Sequence, residues 1–190
     1  YAVGMIFFPK DKVKRQKLIN IIEKVVDEEG QKIIYWRDVP VDSSVLGESV
    51  KSNEPCIKQV FIQMGDKISI ENEFERKLYI IRKQIFRSLQ IHEQKFDDFY
   101  IPSLSTRTIV YKGMVLAPNL SKYYIDFQDK SFKSAMAMFH QRFSTNTFPS
   151  WQLAQPFRCL CHNGEINTVN GNINWINSRK ISTKSKILGN

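Results

Sequence analysis

Within ENEFERKLYIIRKQIFRSLQ (Glu71 to Gln90), Phe74, Leu78, Ile81, Ile85 and Leu89 recur at intervals of three and four. That period belongs to an amphipathic helix, and its apolar stripe must lie against a sheet or another helix. The neighbouring runs supply a sheet. VGMIFFP (Val3 to Pro9) is a nearly all-apolar buried strand stopped by its proline, and CIKQVFIQM (Cys56 to Met64) alternates in the strand manner. Between them Asp11 fits an N-cap, and Val13, Leu18, Ile21, Ile22, Val25 and Val26 continue at helical spacing until Gly30. KIIYWRDVP (Lys32 to Pro40) is β-branched and aromatic and ends in a turn; DSSVLGESVKSNEP reads as a loop with one short helical turn.

Beyond Phe99 the texture predicts short strands. Thr106 to Tyr111 is one, followed by a turn at Lys112 and Gly113 and an apolar run from Met114 to Leu116. Ala135 to Ser144 is a further strand candidate, and FRCLCHNGEI (Phe157 to Ile166) carries the strongest hairpin signal, with Asn163-Gly164 at its turn. TVNGNINWINSRK places Val169, Ile173 and Ile176 on one helix face, capped by Asn167 or Thr168. With no internal repeat, low-complexity tract or linker, the 190 residues predict one α+β domain with helices on an antiparallel sheet.

Composition excludes several classes. Hydrophobic residues at 42% and charged residues at 25% are those of a chain with a packed core, not of a disordered or collagenous one. No window approaches 18 apolar residues and YAVGMIFFPKDK lacks a signal's basic n-region, so no membrane segment is expected. The net charge of +9 raises nucleic-acid binding. The lysines and arginines of DKVKRQK, ERKLYIIRK and SRKISTKSK, partly mixed with acids, read instead as solvated faces, because no RNP, zinc-finger or basic-zipper pattern accompanies them. Cys56, Cys159 and Cys161 are odd in number and argue for a reducing compartment. A metal site would recruit Cys159, Cys161, His162 and His140, but C-x-C-H lacks a second ligand pair, and buried inert thiols are preferred.

The stretch CHNGEIN (Cys161 to Asn167) has two readings. Asn163-Gly164 is the commonest dipeptide of a type I′ turn; alternatively, a side-chain amide and a backbone N–H exposed together can aim two donors at one developing oxyanion. Arg142 is either a surface charge or a planar fork for a carboxylate. His140 reads as a satisfied strand-end histidine without a chemical role, and Phe148 and Trp151, beside Pro149, as residues that pack a loop.

HQRFSTNTFPSWQLAQPFRCLCHNGEINTVNGNINWINSR (His140 to Arg179) resembles the glutamine amidotransferase domain of glutamate synthases. YWRDVPVD, CIKQVFI and SLSTRTIVYKGM resemble the same domain in the same order. The resemblance implies a class II amidotransferase, an N-terminal-nucleophile hydrolase with a four-layer αββα sandwich, here incomplete at both ends, with residues 1–190 forming an interior part of the glutaminase domain. It implies hydrolysis of glutamine, with the ammonia passed to 2-oxoglutarate at a distant flavin site. Residue by residue, Arg142 matches the binder of the glutamine α-carboxylate, Asn163 and Gly164 the oxyanion hole, and Thr145 a further substrate contact; Glu165 and His162 hold the turn. The family nucleophile is an N-terminal cysteine, whereas Tyr1 stands first here, so the isolated segment is expected to be inert. The family's acid for the substrate α-amino group is also unmatched, since no Asp follows Asn163.

Family membership further implies FMN, a 3Fe-4S cluster and an electron donor, ferredoxin or an NADPH-binding small subunit, none bound by this segment. A Lys-, Ile- and Asn-rich wording suits a plastid genome and the ferredoxin-dependent form in the stroma, with the bacterial cytoplasm as the alternative. Other class II acceptors, in amidophosphoribosyl, hexosamine or asparagine chemistry, fit FSTNTFPSW and WRDVPVD less well. The rival from a different class is a basic nucleic-acid module.

Overall fold

The computed structural model describes residues 1–91, 98–142, 148–163 and 169–179. Four strands, β1 (Ala2–Phe8), β2 (Lys32–Asp38), β3 (Cys56–Gln63) and β4 (Tyr100–Ser105), form one antiparallel sheet in the order β2-β3-β1-β4. Helix α1 (Lys12–Glu28) joins β1 to β2, and α3 (Glu71–Ile91) joins β3 to β4; each skips one strand, so two split β–α–β units interleave. A one-turn helix α2 (Glu48–Ser52) lies before β3.

Local chemistry explains these elements. The Asp11 carboxylate accepts from the Lys14 N–H and caps α1. At the other end Gly30, at φ +70°, and Gln31 send their N–H groups to the carbonyls of Asp27 and Val26, a Schellman stop that requires the left-handed backbone glycine tolerates. Leu18, Ile22, Val25 and Val26 of α1 are buried, whereas Val13, expected on the same stripe, is exposed in the first turn of the helix. The α3 stripe of Phe74, Leu78, Ile81, Ile85 and Leu89 is buried in full against Ile6, Phe8, Val60, Ile62, Ile101 and Leu104.

One expectation fails in this half. Tyr100–Ser105 is the strand, and Thr106 to Tyr111 is not. Pro102 lowers the strand signal, but β4 is an edge strand, and Ile101 and Pro102 together face Ile6 where the register shifts, so the missing N–H leaves no ladder gap. The ladder then ends because side chains take its donors. Glu75 accepts from the Thr106 N–H, the Ser105 hydroxyl from the Arg107 N–H, and the Ser103 hydroxyl from the Val110 N–H.

The face of the sheet away from the helices carries a second core. Met5, Phe7 and Ile57 pack there with Val39, Leu46, Tyr123, Tyr124 and Trp151. Tyr123 and Tyr124 come from α4 (Leu120–Tyr123) and its C-cap, and their hydroxyls donate to Glu54 and to the Lys112 carbonyl at 2.8 and 2.7 Å. Trp151 meets Phe7 edge-on and lies flat over Gly113, so close that a Cβ there would enter the indole ring. Its buried N–H finds no acceptor among the described residues, so packing alone holds the ring.

Lys112 is the charged member of this face, 2% exposed. Its Nζ sits 4.6 and 4.7 Å from the ring centres of Tyr100 and Phe157 and donates to the Gln152 carbonyl at 2.8 Å. Burial, with Arg82 adding repulsion, pushes the ammonium down to about 8, against the two ring faces, which favour the cation.

Two outcomes follow for unfolding experiments. Gly113→Ala should destabilise the fold by about 1–3 kcal/mol through overpacking and loosen Trp151, read as a lower urea midpoint and a red-shifted indole emission. Stability should also rise as pH climbs from about 8 toward the ordinary lysine range, because only the unfolded chain still holds the Lys112 proton there. Above about 10 it should fall, since burial raises the hydroxyls of Tyr123, Tyr124 and Tyr111 and the unfolded chain loses those protons first. Urea midpoints across this range for the wild type and Lys112→Met test both slopes; the variant should lose the rise and keep the fall.

Candidate active site

The described site residues, Arg142 and Asn163, lie outside helices and strands, and the segment leading to Asn163 is tied to the rest of the fold by several side chains. Trp151 plugs the second core, and Lys112 bonds the Gln152 carbonyl. The chain then reverses between Phe157 and Leu160, whose N–H and C=O groups pair both ways at 2.7 and 2.8 Å. Arg158 occupies the turn at φ +53°, its guanidinium over the Tyr79 ring of α3 at 5.9 Å. Phe157 itself covers Lys112.

The two-residue turn of this reversal is Arg158-Cys159. The expected turn at Asn163-Gly164 and the strand after it lie outside the described residues from Gly164 on; Asn163 itself lies in a bend. Just before it, the Gln155 carboxamide donates to the His162 carbonyl at 2.9 Å and accepts from the His162 N–H at 2.7 Å, pairing both backbone groups of that residue. Ala135 to Ser144 forms no strand over its described part, residues 135–142, and Met136 and Phe139 are exposed there.

What that segment does instead concerns the site. The His140 Nε2 lies 2.8 Å from the Asn163 Oδ1, and the Arg142 backbone N–H donates to the His140 Nδ1 at 3.2 Å. The Cys161 thiol points at the Phe139 carbonyl, 3.8 Å away, so two contacts join the segments. The structure therefore brings Arg142 and Asn163 together through His140, a residue for which the sequence suggested no chemical role. Arg142 is exposed, its guanidinium available to a small anionic ligand. Thr145 and Gly164 lie outside the described residues, as do both proposed caps of α5 (Val169–Arg179). On α5 itself Val169, Ile173 and Ile176 are exposed.

The cysteines do not behave as one group. Cys56 packs against the helix-side core, and burial pushes its thiol up, away from reactivity. Cys159 is exposed at the turn, contrary to the buried thiol expected, and Cys161 is half-buried. Among the described residues no three His, Cys, Asp or Glu side chains are grouped to hold a metal ion.

A second polar cluster lies under the WRDVPVD motif. Both Arg37 nitrogens bond the Asp126 carboxylate, at 2.5 and 2.8 Å, the Tyr111 hydroxyl donates to it at 2.8 Å, and Gln59 bridges Arg37 and Tyr111. The Arg37 hydrogen bonds hold Asp126 below the usual carboxylate range, and burial followed by Asp126 raises Tyr111. Each member satisfies another, so the cluster ties β2 and β3 to residues 111–128.

Comparison with known proteins places the chain in a family. The family model described as glutamine amidotransferases class-II matches residues 1–190. The chain is 44% identical, over 98% of its length, to the chloroplastic ferredoxin-dependent glutamate synthase 2 of Arabidopsis thaliana. It is also 44% identical to the glutamate synthase [NADPH] large chain of Bacillus subtilis (strain 168) and to the ferredoxin-dependent glutamate synthase of Pyropia yezoensis. It spans 11 to 12% of the length of these relatives. The helix layer and antiparallel sheet fit the α+β fold of N-terminal-nucleophile hydrolases. With a match along its whole length, the chain belongs to the class II glutamine amidotransferases.

Proposed function

We propose that this segment is the substrate-binding and oxyanion-stabilising part of a glutaminase domain in a glutamate synthase. The observation that carries the reading is the junction of Arg142 and Asn163 across His140. In this reading the Arg142 guanidinium binds the α-carboxylate of glutamine, and Thr145 adds a contact beside it. The Asn163 amide and the Gly164 N–H stabilise the oxyanion formed when a nucleophile attacks the side-chain amide, and ammonia leaves for 2-oxoglutarate.

The nucleophile is an N-terminal cysteine with its own amino group as base. Cys56, Cys159 and Cys161 do not qualify: the first is packed into the core, and none carries a free α-amino group. Cys56 lies on β3 and Cys159 and Cys161 on a distant loop, so among the described residues they are not grouped as a 3Fe-4S cluster requires, and the cluster and FMN are assigned to the rest of the full-length enzyme, where they carry electrons to the acceptor. The plastid stroma and ferredoxin are the favoured setting. Relatives of both donor types stand at 44%, so electron transfer from ferredoxin against NADPH in the full-length protein decides the donor.

Glutamate release from glutamine by the full-length protein tests the reading. Arg142→Ala should raise KM roughly 10- to 100-fold with a smaller change in kcat, the loss of a charge-assisted pair. Asn163→Ala should lower kcat about a hundred- to a thousandfold with KM little changed. A wild-type protein that leaves glutamine intact, or variants with unchanged kinetics, would remove the proposal.

A further inference from the structure

The histidine between the two binding groups has a determined hydrogen-bond polarity. The Arg142 backbone N–H can only donate, so the His140 Nδ1 that receives it carries a lone pair. In the neutral ring the proton is then on Nε2, which donates to the Asn163 Oδ1 at 2.8 Å. That bond engages the oxygen end of the Asn163 carboxamide and leaves its NH2 end for another acceptor. The outcome matters because the terminal torsion of asparagine is broad and roughly two-fold. Without a partner for the oxygen, the amide could turn and present a carbonyl dipole where a developing oxyanion needs a donor.

We propose that His140 is the positioning residue of the oxyanion hole, locking the Asn163 amide with its NH2 toward the substrate and tying that lock to the backbone of Arg142. This rests on the glutaminase reading above. His140 touches no reacting atom in this role and acts only through Asn163. Two contacts support its geometry from outside the ring. The Gln155 carboxamide fixes His162, the residue before Asn163, and the Cys161 thiol meets the carbonyl of Phe139, the residue before His140. Both partners of the lock are thus held at the backbone, so the ring links two fixed points.

The test is steady-state glutaminase kinetics on the full-length protein, with His140 and Asn163 varied singly and together. His140→Ala should lower kcat roughly tenfold, less than outright loss of the donor, and leave KM within about twofold. His140→Gln, whose carboxamide N–H reaches the Nε2 position, should recover most of that loss. His140→Asn, which reaches only the Nδ1 position and can serve only the Arg142 N–H, should not. In an Asn163→Ala background, His140→Ala should cost nothing further in kcat.

A merely structural histidine gives a different pattern. Its loss would reduce kcat by the same factor with or without Asn163, or would raise KM, and neither conservative variant would be preferred; any of these results overturns the proposal. Wild-type protein that does not hydrolyse glutamine removes the parent reading and this inference with it. An active wild type with no coupling between positions 140 and 163 removes the inference alone.

Discussion

The structure depends on one strand that is buried on both faces. In β1, Ile6 and Phe8 point to the helices, and Met5 and Phe7 to the layer of loops, with all four at 1% exposure or less. A strand with no wet face cannot slip by one residue without moving bulky side chains into the wrong core, so its register with β3 and β4 is over-determined. Both edge pairings are looser, each with a register shift. The central pairing is regular, and irregularity is displaced to the rim.

The two faces then differ in how they are covered. Two long helices cover one with apolar stripes, a self-sufficient solution. Single anchors pin loops over the other: Trp151 on Gly113, Tyr124 on the Lys112 carbonyl, and Lys112 itself between two rings. A buried lysine is a costly fastener, but it bonds a carbonyl of the loop leading to Asn163 and stacks the ring that closes the next turn. Loop-borne sites need such fasteners, because their backbone lacks a ladder to hold it.

Legibility in the sequence follows the same division. Elements whose signal is periodic burial were readable: β1, α1 and its Asp11 cap, the Gly30 stop and the whole α3 stripe match their expectations, Val13 excepted. Elements decided by a particular side chain were not. Nothing in local patterning says that Glu75 and Ser103 will take the donors of residues 106 and 110, or that Gln155 will occupy both backbone groups of His162. Nor does the pattern of residues 157–160 announce the reversal at Arg158-Cys159, one turn ahead of the Asn163-Gly164 pair. Arg142 and Asn163 entered as candidates through family resemblance, and the structure adds the contact between His140 and Asn163, 23 residues apart in the chain, which no spacing encodes.

That contact also bears on what the site measures. Glutamine carries its α-carboxylate and its side-chain amide at the two ends of a short carbon chain, so a site that grips one and activates the other must keep a set distance between fork and donor. Among the described residues, neither Arg142 nor Asn163 lies in a helix or strand that could set that distance. In the proposed role, a rigid aromatic ring bonded at one nitrogen to the backbone of Arg142 and at the other to the Asn163 amide supplies it. A glutamine side chain could reach the Asn163 oxygen with its own N–H, but it could not also hold the Arg142 N–H through one rigid ring, so it would keep the donor's orientation and lose part of the fixed spacing. In the glutaminase reading the imidazole serves the site by its shape, and it transfers no proton there.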